Sequence, residues 1–157
     1  MKFTNSLIKG KLLKRYKRFF ADIKVNNKII TAHCPNTGSM QGLLDAGNEV
    51  LVTEHDDPKR KLKFTLEIIK AKKRYVGVNT HRANKIVNHG LENKLISEFK
   101  NIKNIKPEFK FSDDTRFDFL CDDNLIEVKN VTLFRENDIA EFPDAVTSRG
   151  TCLLYTS

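Results

Sequence analysis

No apolar pattern in the first eighty residues runs long enough, at helical spacing, to form a helix; short β-rich runs broken by turn residues occupy the region instead. Residues 7–16 are a mixed apolar and basic run, and Phe20-Ala21-Asp22-Ile23-Lys24-Val25 alternates. Asn26-Asn27 is a turn signal, and 28–32 follows at hairpin spacing. Residues 49–53 form a short apolar run after Gly47-Asn48, 62–70 a longer one, and 75–78 the last. Five or six short strands with no long helix predict a small barrel. An OB-like barrel is the natural candidate, because that fold often binds nucleic acid, and an SH3-like barrel fits the pattern almost as well.

Residues 81–157 change in character and in charge. Residues 1–80 carry 17 Lys+Arg against 7 Asp+Glu, a net of +10, whereas 81–157 carry 11 against 13, a net of −2. The asymmetry predicts two parts, 1–80 and 81–150, with different tasks. The first would neutralise phosphates, and the second has the spare carboxylates that a divalent cation site needs. Apolar residues at 83, 86, 87, 91, 95, 96 and 99 predict a helix across 83–99, weakened at Gly90. Three short strands are expected near 107–111, 115–121 and 124–131, and a loop leading into a helix from Phe134 onward. Cysteines at 34, 121 and 152 make an odd number without a CxxC pair, which signals neither a disulfide framework nor a zinc site. With no signal-peptide run and no stretch approaching a transmembrane span, the expectation is a cytoplasmic protein without a membrane partner.

The basic residues are clustered. Lys9, Lys11, Lys14, Arg15, Lys17 and Arg18 crowd the first strand region, with Tyr16, Phe19 and Phe20 interleaved. Lys59-Arg60-Lys61 with Lys63 is a second cluster, and Lys70, Lys72, Lys73 and Arg74 a third. Together they favour an anionic polymer such as DNA, bound with little sequence preference. Each aromatic taken singly reads as core; exposed, it could stack on a base.

Thr115-Arg116-Phe117-Asp118-Phe119-Leu120 alternates, so Arg116, Asp118 and Leu120 share a face. A hairpin turning symmetrically about 123–124 would set Leu120 opposite Glu127 and Asp118 opposite Lys129, with the three polar side chains on one side. Asp118 and Glu127 could then hold a Mg2+ ion, and Lys129 could stabilise charge on an attacked phosphate. This is the D…ExK arrangement of restriction-type nucleases, with Asp118, Glu127 and Lys129 as candidate catalytic residues. A surface hairpin with an Asp118–Lys129 cross-strand ion pair is the competing reading.

Seven blocks then occur in order: Arg15-Tyr16-Lys17-Arg18-Phe19, His33-Cys34-Pro35-Asn36-Thr37-Gly38-Ser39-Met40, Pro58-Lys59-Arg60-Lys61-Leu62, Gly77-Val78-Asn79-Thr80 with Ala83-Asn84, Arg116-Phe117-Asp118-Phe119, Glu127-Val128-Lys129-Asn130-Val131-Thr132 and Phe142-Pro143-Asp144-Ala145-Val146-Thr147. In these blocks the chain resembles the sugar fermentation stimulation (SfsA) family. The resemblance implies an N-terminal OB-like β-barrel followed by an α/β domain related to PD-(D/E)xK nucleases, incomplete in this chain. It also implies DNA binding and a regulatory role in sugar (maltose) metabolism; metal-dependent DNA cleavage is the alternative. Relatives tend to carry Glu-Ala before the helix leucine, where this chain has Asn88-His89-Gly90, with Glu92 nearby. The final Cys-Leu-Leu-Tyr-Thr-Ser is what one reading frame of a common sequencing adapter encodes, so 151–157 is expected to be a non-native tail.

Overall fold

The computed structural model describes residues 2–134 and 140–142. The chain divides into two compact units, one built on Phe3–Asn79 and the other on Thr80–Asn130. The helix expected after Phe134 and the tail at 151–157 lie outside the described residues.

The first unit is a closed five-stranded barrel with OB topology. Its strands are β1 (Leu7–Tyr16), β2 (Phe20–Val25), β3 (Lys28–His33), β4 (Glu49–Glu54) and β5 (Phe64–Ala71), with β6 (Arg74–Gly77) added to β5. The β2–β3 hairpin closes on Asn26-Asn27, where Asn26 takes a φ of 52° and Val25 pairs with Lys28. The alternation of β2 is real: Ala21 and Ile23 are fully buried while Lys24 faces water. With Leu12, Met40, Val50, Val52, Leu66, Ile69 and Val78 they form one core. Each fully buried Leu, Ile or Val contributes about 1.5–3 kcal/mol relative to exposure.

Two features of β1 close this barrel. Its first half pairs with β4 (Leu7↔Thr53 to Lys11↔Glu49) and its second half with β2 (Lys11↔Lys24 to Tyr16↔Phe20), with a bulge between Leu12 and Lys14. The extra residue increases local twist and lets one strand serve both neighbours. Gly10 sits before the bulge, where a Cβ would lie 2.6 Å from Ile23 Cγ2 and 3.0 Å from the Lys24 carbonyl oxygen. The ring is completed by parallel pairing of β3 with β5, Ala32↔Phe64 and His33↔Thr65.

The second unit is a small α/β assembly: α1 (Ala83–Glu92) and an antiparallel sheet of β7 (Ile105–Lys110), β8 (Arg116–Cys121) and β9 (Asn124–Ile126). Leu91, Phe119 and Cys121 form its buried centre, with Val87, Ile96, Phe99, Ile102, Ile105, Ile126 and Val128 packed against it. A short pair, β10 (Leu133–Phe134) and β11 (Ala140–Glu141), groups with the barrel.

The helix stops at Glu92 and does not run to Phe99. The Leu95 N–H donates to the Gly90 carbonyl (2.8 Å) and the Lys94 N–H to Leu91 (3.1 Å), with Lys94 at φ 56°. This is a Schellman reversal with lysine in the position usually held by glycine. Gly90 serves the reversal: a Cβ there would meet Ile96 Cδ1 and Cγ1 at 3.3 Å, so the returning chain occupies the space a side chain would fill. A second correction concerns the hairpin register. Cys121 pairs with Asn124 and Leu120 with Leu125, not with Glu127. The turn is Asp122-Asp123, with Asp122 at φ 49°, and the ladder ends at Ile126. The shift is two residues, which keeps each paired residue on its expected face within the ladder, and Glu127 and Lys129 lie beyond its end.

Gly10→Val should destabilise the barrel by about 1–3 kcal/mol, the usual range for overpacking a filled site. Urea unfolding of the variant checks this; an unchanged midpoint would mean that the β1–β2 approach is not tight.

Candidate functional site

The register of the barrel decides which basic clusters meet. Tyr16 pairs with Phe20, Phe20 with His33, and His33 with Thr65. That row crosses four strands and joins the β1–β2 turn to the end of the β4–β5 loop, residues 55–63. The turn half of the first cluster, Lys14, Arg15, Lys17 and Arg18, and the second cluster on that loop therefore lie at one end of the barrel, while Lys9 and Lys11 sit toward the other, where Lys11 pairs with Glu49. The third, around the β5–β6 turn, lies at the far end of β5, where Lys70 stands 5.0 Å from the Tyr75 ring centroid. There Glu49 accepts from Lys9 (2.8 Å) and from the Tyr75 hydroxyl (3.1 Å). The Lys9 contact holds the Glu49 carboxyl below its ordinary value.

Within the joined end, the two arginines nearest the strands act as clamps. Arg15 Nε donates to the Arg18 carbonyl (3.1 Å) and Nη2 to the Asn36 carbonyl (2.8 Å). Arg60 Nη2 donates to Thr65 Oγ1 (3.0 Å) and Nε to the Leu62 carbonyl (3.4 Å). Asn36 closes its own turn by accepting from the Gly38 N–H (2.8 Å), and Cys34, Pro35, Asn36 and Met40 of that loop are buried. Lys14, Lys17, Arg18, Lys59, Lys61 and Lys63 are exposed. Lys14 stands over the Tyr16 ring and 3.7 Å from Asp22.

The aromatics divide as well. Tyr16 and Phe20 are half-buried and stacked, centroids 5.4 Å apart. Phe19 is 47% exposed, contrary to the core reading. The residues between paired Tyr16 and Phe20 form the turn, and they lift Phe19 out of the strand alternation.

In the second unit, Asp118 is half-buried and both its oxygens are engaged. Oδ1 accepts from Asn84 Nδ2 of α1 (2.6 Å), and Oδ2 from the Val128 N–H (2.7 Å). Lys129 forms an ion pair with Glu127, and both are exposed, so the alternative Asp118–Lys129 pair does not form. Asp118 lines a cleft of about 380 Å³ together with Asn84, Asn88, His89, Glu92 and Glu108. Asn88 donates to Glu92 (2.8 Å). Among the described residues, no group of three or more His, Cys, Asp and Glu side chains is gathered as a metal-ion cluster. The partnership of Asn84 with Asp118 was not anticipated from the sequence, although the Ala83-Asn84 block was its signal.

A depression of about 440 Å³ is lined by Asn104, Lys106, Leu120, Asp122 and Asp123. Its carboxylate is structural: Asp122 accepts from the backbone N–H groups of Lys103 (3.1 Å) and Asn104 (3.0 Å) and ties the β8–β9 turn to that segment. These hydrogen bonds hold the Asp122 carboxyl below its ordinary 3.8.

Comparison with known proteins follows the same division. Residues 13–78 match the family described as SfsA N-terminal OB domain, and residues 81–155 match the Sugar fermentation stimulation protein RE domain. A sugar fermentation stimulation protein homolog of Pelagibacter ubique is 65% identical over 99% of this chain and 69% of its own length. One from Alteromonas mediterranea is 46% identical over 96% of this chain and 68% of its own. The solved structure of Pyrococcus furiosus SfsA in complex with Ca2+ superposes with a TM-score of 0.82 at 23% identity, covering 99% of this chain and 67% of that one; the likeness is one of fold. The chain spans about two thirds of the length of these relatives. Among the described residues, no helix is long and apolar enough to cross a membrane.

Asp122 predicts an acid sensitivity. A carboxyl whose folded value is lowered stabilises the fold fully above its unfolded value, here 3.8, and that contribution is lost as pH falls below it. Asp122→Asn should lower stability at pH 6, and the gap to the parent protein should narrow below about pH 4. Urea midpoints at both pH values test this; a gap independent of pH would remove the carboxylate from the explanation.

Proposed function

Because the chain belongs to the sugar fermentation stimulation family, we propose that it binds DNA through one end of its OB barrel, with little dependence on sequence. The observation that carries this reading is the Tyr16–Phe20–His33–Thr65 row, which unites the two basic loops. OB folds commonly engage oligonucleotides through these same two loops. Lys14, Lys17, Arg18, Lys59, Lys61 and Lys63 contact phosphates. Arg15 and Arg60 hold the loops that carry them. Ammonium groups on flexible stems neutralise phosphate wherever the backbone passes, which gives affinity without base readout. The family name points to sugar fermentation as the context, and a cytoplasmic, regulatory role in sugar (maltose) metabolism is the part of the family resemblance carried into this proposal.

A second reading concerns Thr80–Asn130: metal-assisted cleavage of DNA. The observation favouring it is Asp118, fixed from two sides on the margin of a cleft, with its Oδ2 on the N–H of Val128, the residue between the ion-paired Glu127 and Lys129. Asp118 and Glu127 are the residues that would hold a divalent cation, Mg2+ in a working enzyme, and carboxylate oxygens suit such hard ions. The P. furiosus relative was solved with Ca2+. A bound ion would supply an activated water and charge neutralisation at phosphate. The chain's own part is to aim Asp118 through Asn84 and to place the Lys129 ammonium beside Glu127.

The binding reading predicts a steep fall in DNA affinity with salt. Lys59→Gln, Lys61→Gln and Lys63→Gln together should weaken binding to every sequence tested, and should flatten the salt slope by about 0.7–0.9 per lost contact. Fluorescence anisotropy across a salt series measures both. Affinity independent of salt, or no binding at low salt, would overturn the reading. For the second reading, calorimetric titration of Mn2+ or Ca2+ should show one site, lost in Asp118→Asn and weakened in Glu127→Gln. Unchanged binding in both variants would exclude these residues as ligands.

A further inference from the structure

Phe19 lies on the β1–β2 turn of the joined basic end, 47% exposed, and its backbone is held on both sides. Its N–H donates to the Lys17 carbonyl (2.8 Å), and its carbonyl accepts from the Cys34 N–H (2.7 Å). The preceding residues, Lys17 and Arg18, both adopt left-handed conformations, with φ 47° and 61°. Such conformations are unfavourable for any residue with a Cβ. They persist only where the surroundings over-determine them. Here the Arg15 guanidinium supplies that determination, through the Arg18 and Asn36 carbonyls.

A single exposed apolar residue needs no explanation by itself. Ile29, at 68% exposure, is one. Phe19 differs in its setting. It is an aromatic ring presented by a rigid turn, with Lys17 and Arg18 immediately before it, on the end of the barrel that also carries Lys59, Lys61 and Lys63. The neighbouring aromatics are engaged elsewhere: Tyr16 and Phe20 stack on each other, and Tyr16 donates to Asp22 (3.3 Å). The Phe19 ring enters no ring–ring or cation contact among the described residues.

From this geometry we infer that the barrel end is built for single-stranded DNA, with an unpaired base stacked on Phe19 while the surrounding ammonium and guanidinium groups follow the backbone. This rests on the DNA-binding reading and deepens it. A paired base in a duplex keeps both faces against its neighbours and offers none to a ring on a loop. An unpaired base offers its face, and base–aromatic stacking is tolerant of base identity. The chemistry therefore adds strand selectivity without sequence selectivity. Because the turn is already locked, little further ordering is needed when a base arrives.

The test compares a fluorescent oligothymidylate with a hairpin duplex of equal charge, using the full chain. The parent protein should prefer the single strand. Phe19→Ala should weaken binding to the single strand roughly 5- to 150-fold, the range for one base–aromatic stack, while leaving the salt slope and duplex binding unchanged. Phe19→Trp should retain the single-strand affinity. The side chain is exposed, so folding should survive either change, and circular dichroism checks this. Equal loss on both DNA forms, no loss in Phe19→Ala, or a preference for duplex would overturn the single-strand inference while leaving DNA binding intact. Failure of the parent protein to bind either form at low salt would instead overturn the DNA-binding reading beneath it.

Discussion

The parallel contact between β3 and β5 is short, only Ala32↔Phe64 and His33↔Thr65, yet the functional geometry of the barrel depends on it. Along the β1–β4 ladder alone, the β1–β2 turn and the β4–β5 loop would lie at opposite ends, because Leu7 pairs with Thr53 and Lys11 with Glu49. Closure through β3 brings them together. The bulge in β1 and the bare Cα of Gly10 supply the twist that closure needs, and the buried core holds it. A barrel also removes the open strand edges that a curled sheet of this size would otherwise expose.

Once the two loops meet, chemistry divides the basic residues between them. A guanidinium offers several donors in a rigid fork and suits the bridging of two oxygen acceptors. Arg15 and Arg60 do this, each spanning two acceptors. The lysines on the same loops remain at the surface, where a flexible ammonium can follow a phosphate chain. The Arg15 clamp has a further effect, since it stabilises the left-handed Lys17-Arg18 turn that holds the Phe19 ring in solvent.

Hydrogen bonding also organises the second unit, with carboxylates as acceptors. Asp118 joins α1 to the segment after β9, and Asp122 joins the β8–β9 turn to residues 103 and 104. One carboxylate is spent wholly on architecture. The other is aimed on the margin of a cleft that also holds His89, Glu92 and Glu108. Glu127 and Lys129, which flank the Val128 that donates to Asp118, neutralise each other.

Much of this was legible in the chain itself. Period-two alternation and the Asn26-Asn27 turn marked the barrel strands closely, because strand patterning is written in adjacent residues. The charge imbalance between the halves and the ordered motif blocks were equally local. What the sequence could not decide were contacts between distant residues and choices among isoenergetic local options. The helix end at Glu92 was hidden because a lysine, not a glycine, takes the left-handed position, at a cost repaid by Ile96 packing over Gly90. The β8–β9 register moved by two residues because either pair of Asp122-Asp123-Asn124 can form the turn, and the hydrogen bonds of Asp122 to residues 103 and 104 select one. Sequence determined which residues are basic, aromatic or acidic; tertiary structure decided that the turn residues 14–18 and the 59–63 cluster share an end while Lys9 turns to Glu49, that two arginines serve the fold, and that Phe19 is exposed. Barrel closure and backbone hydrogen bonding, both set between segments far apart in the chain, are the reason.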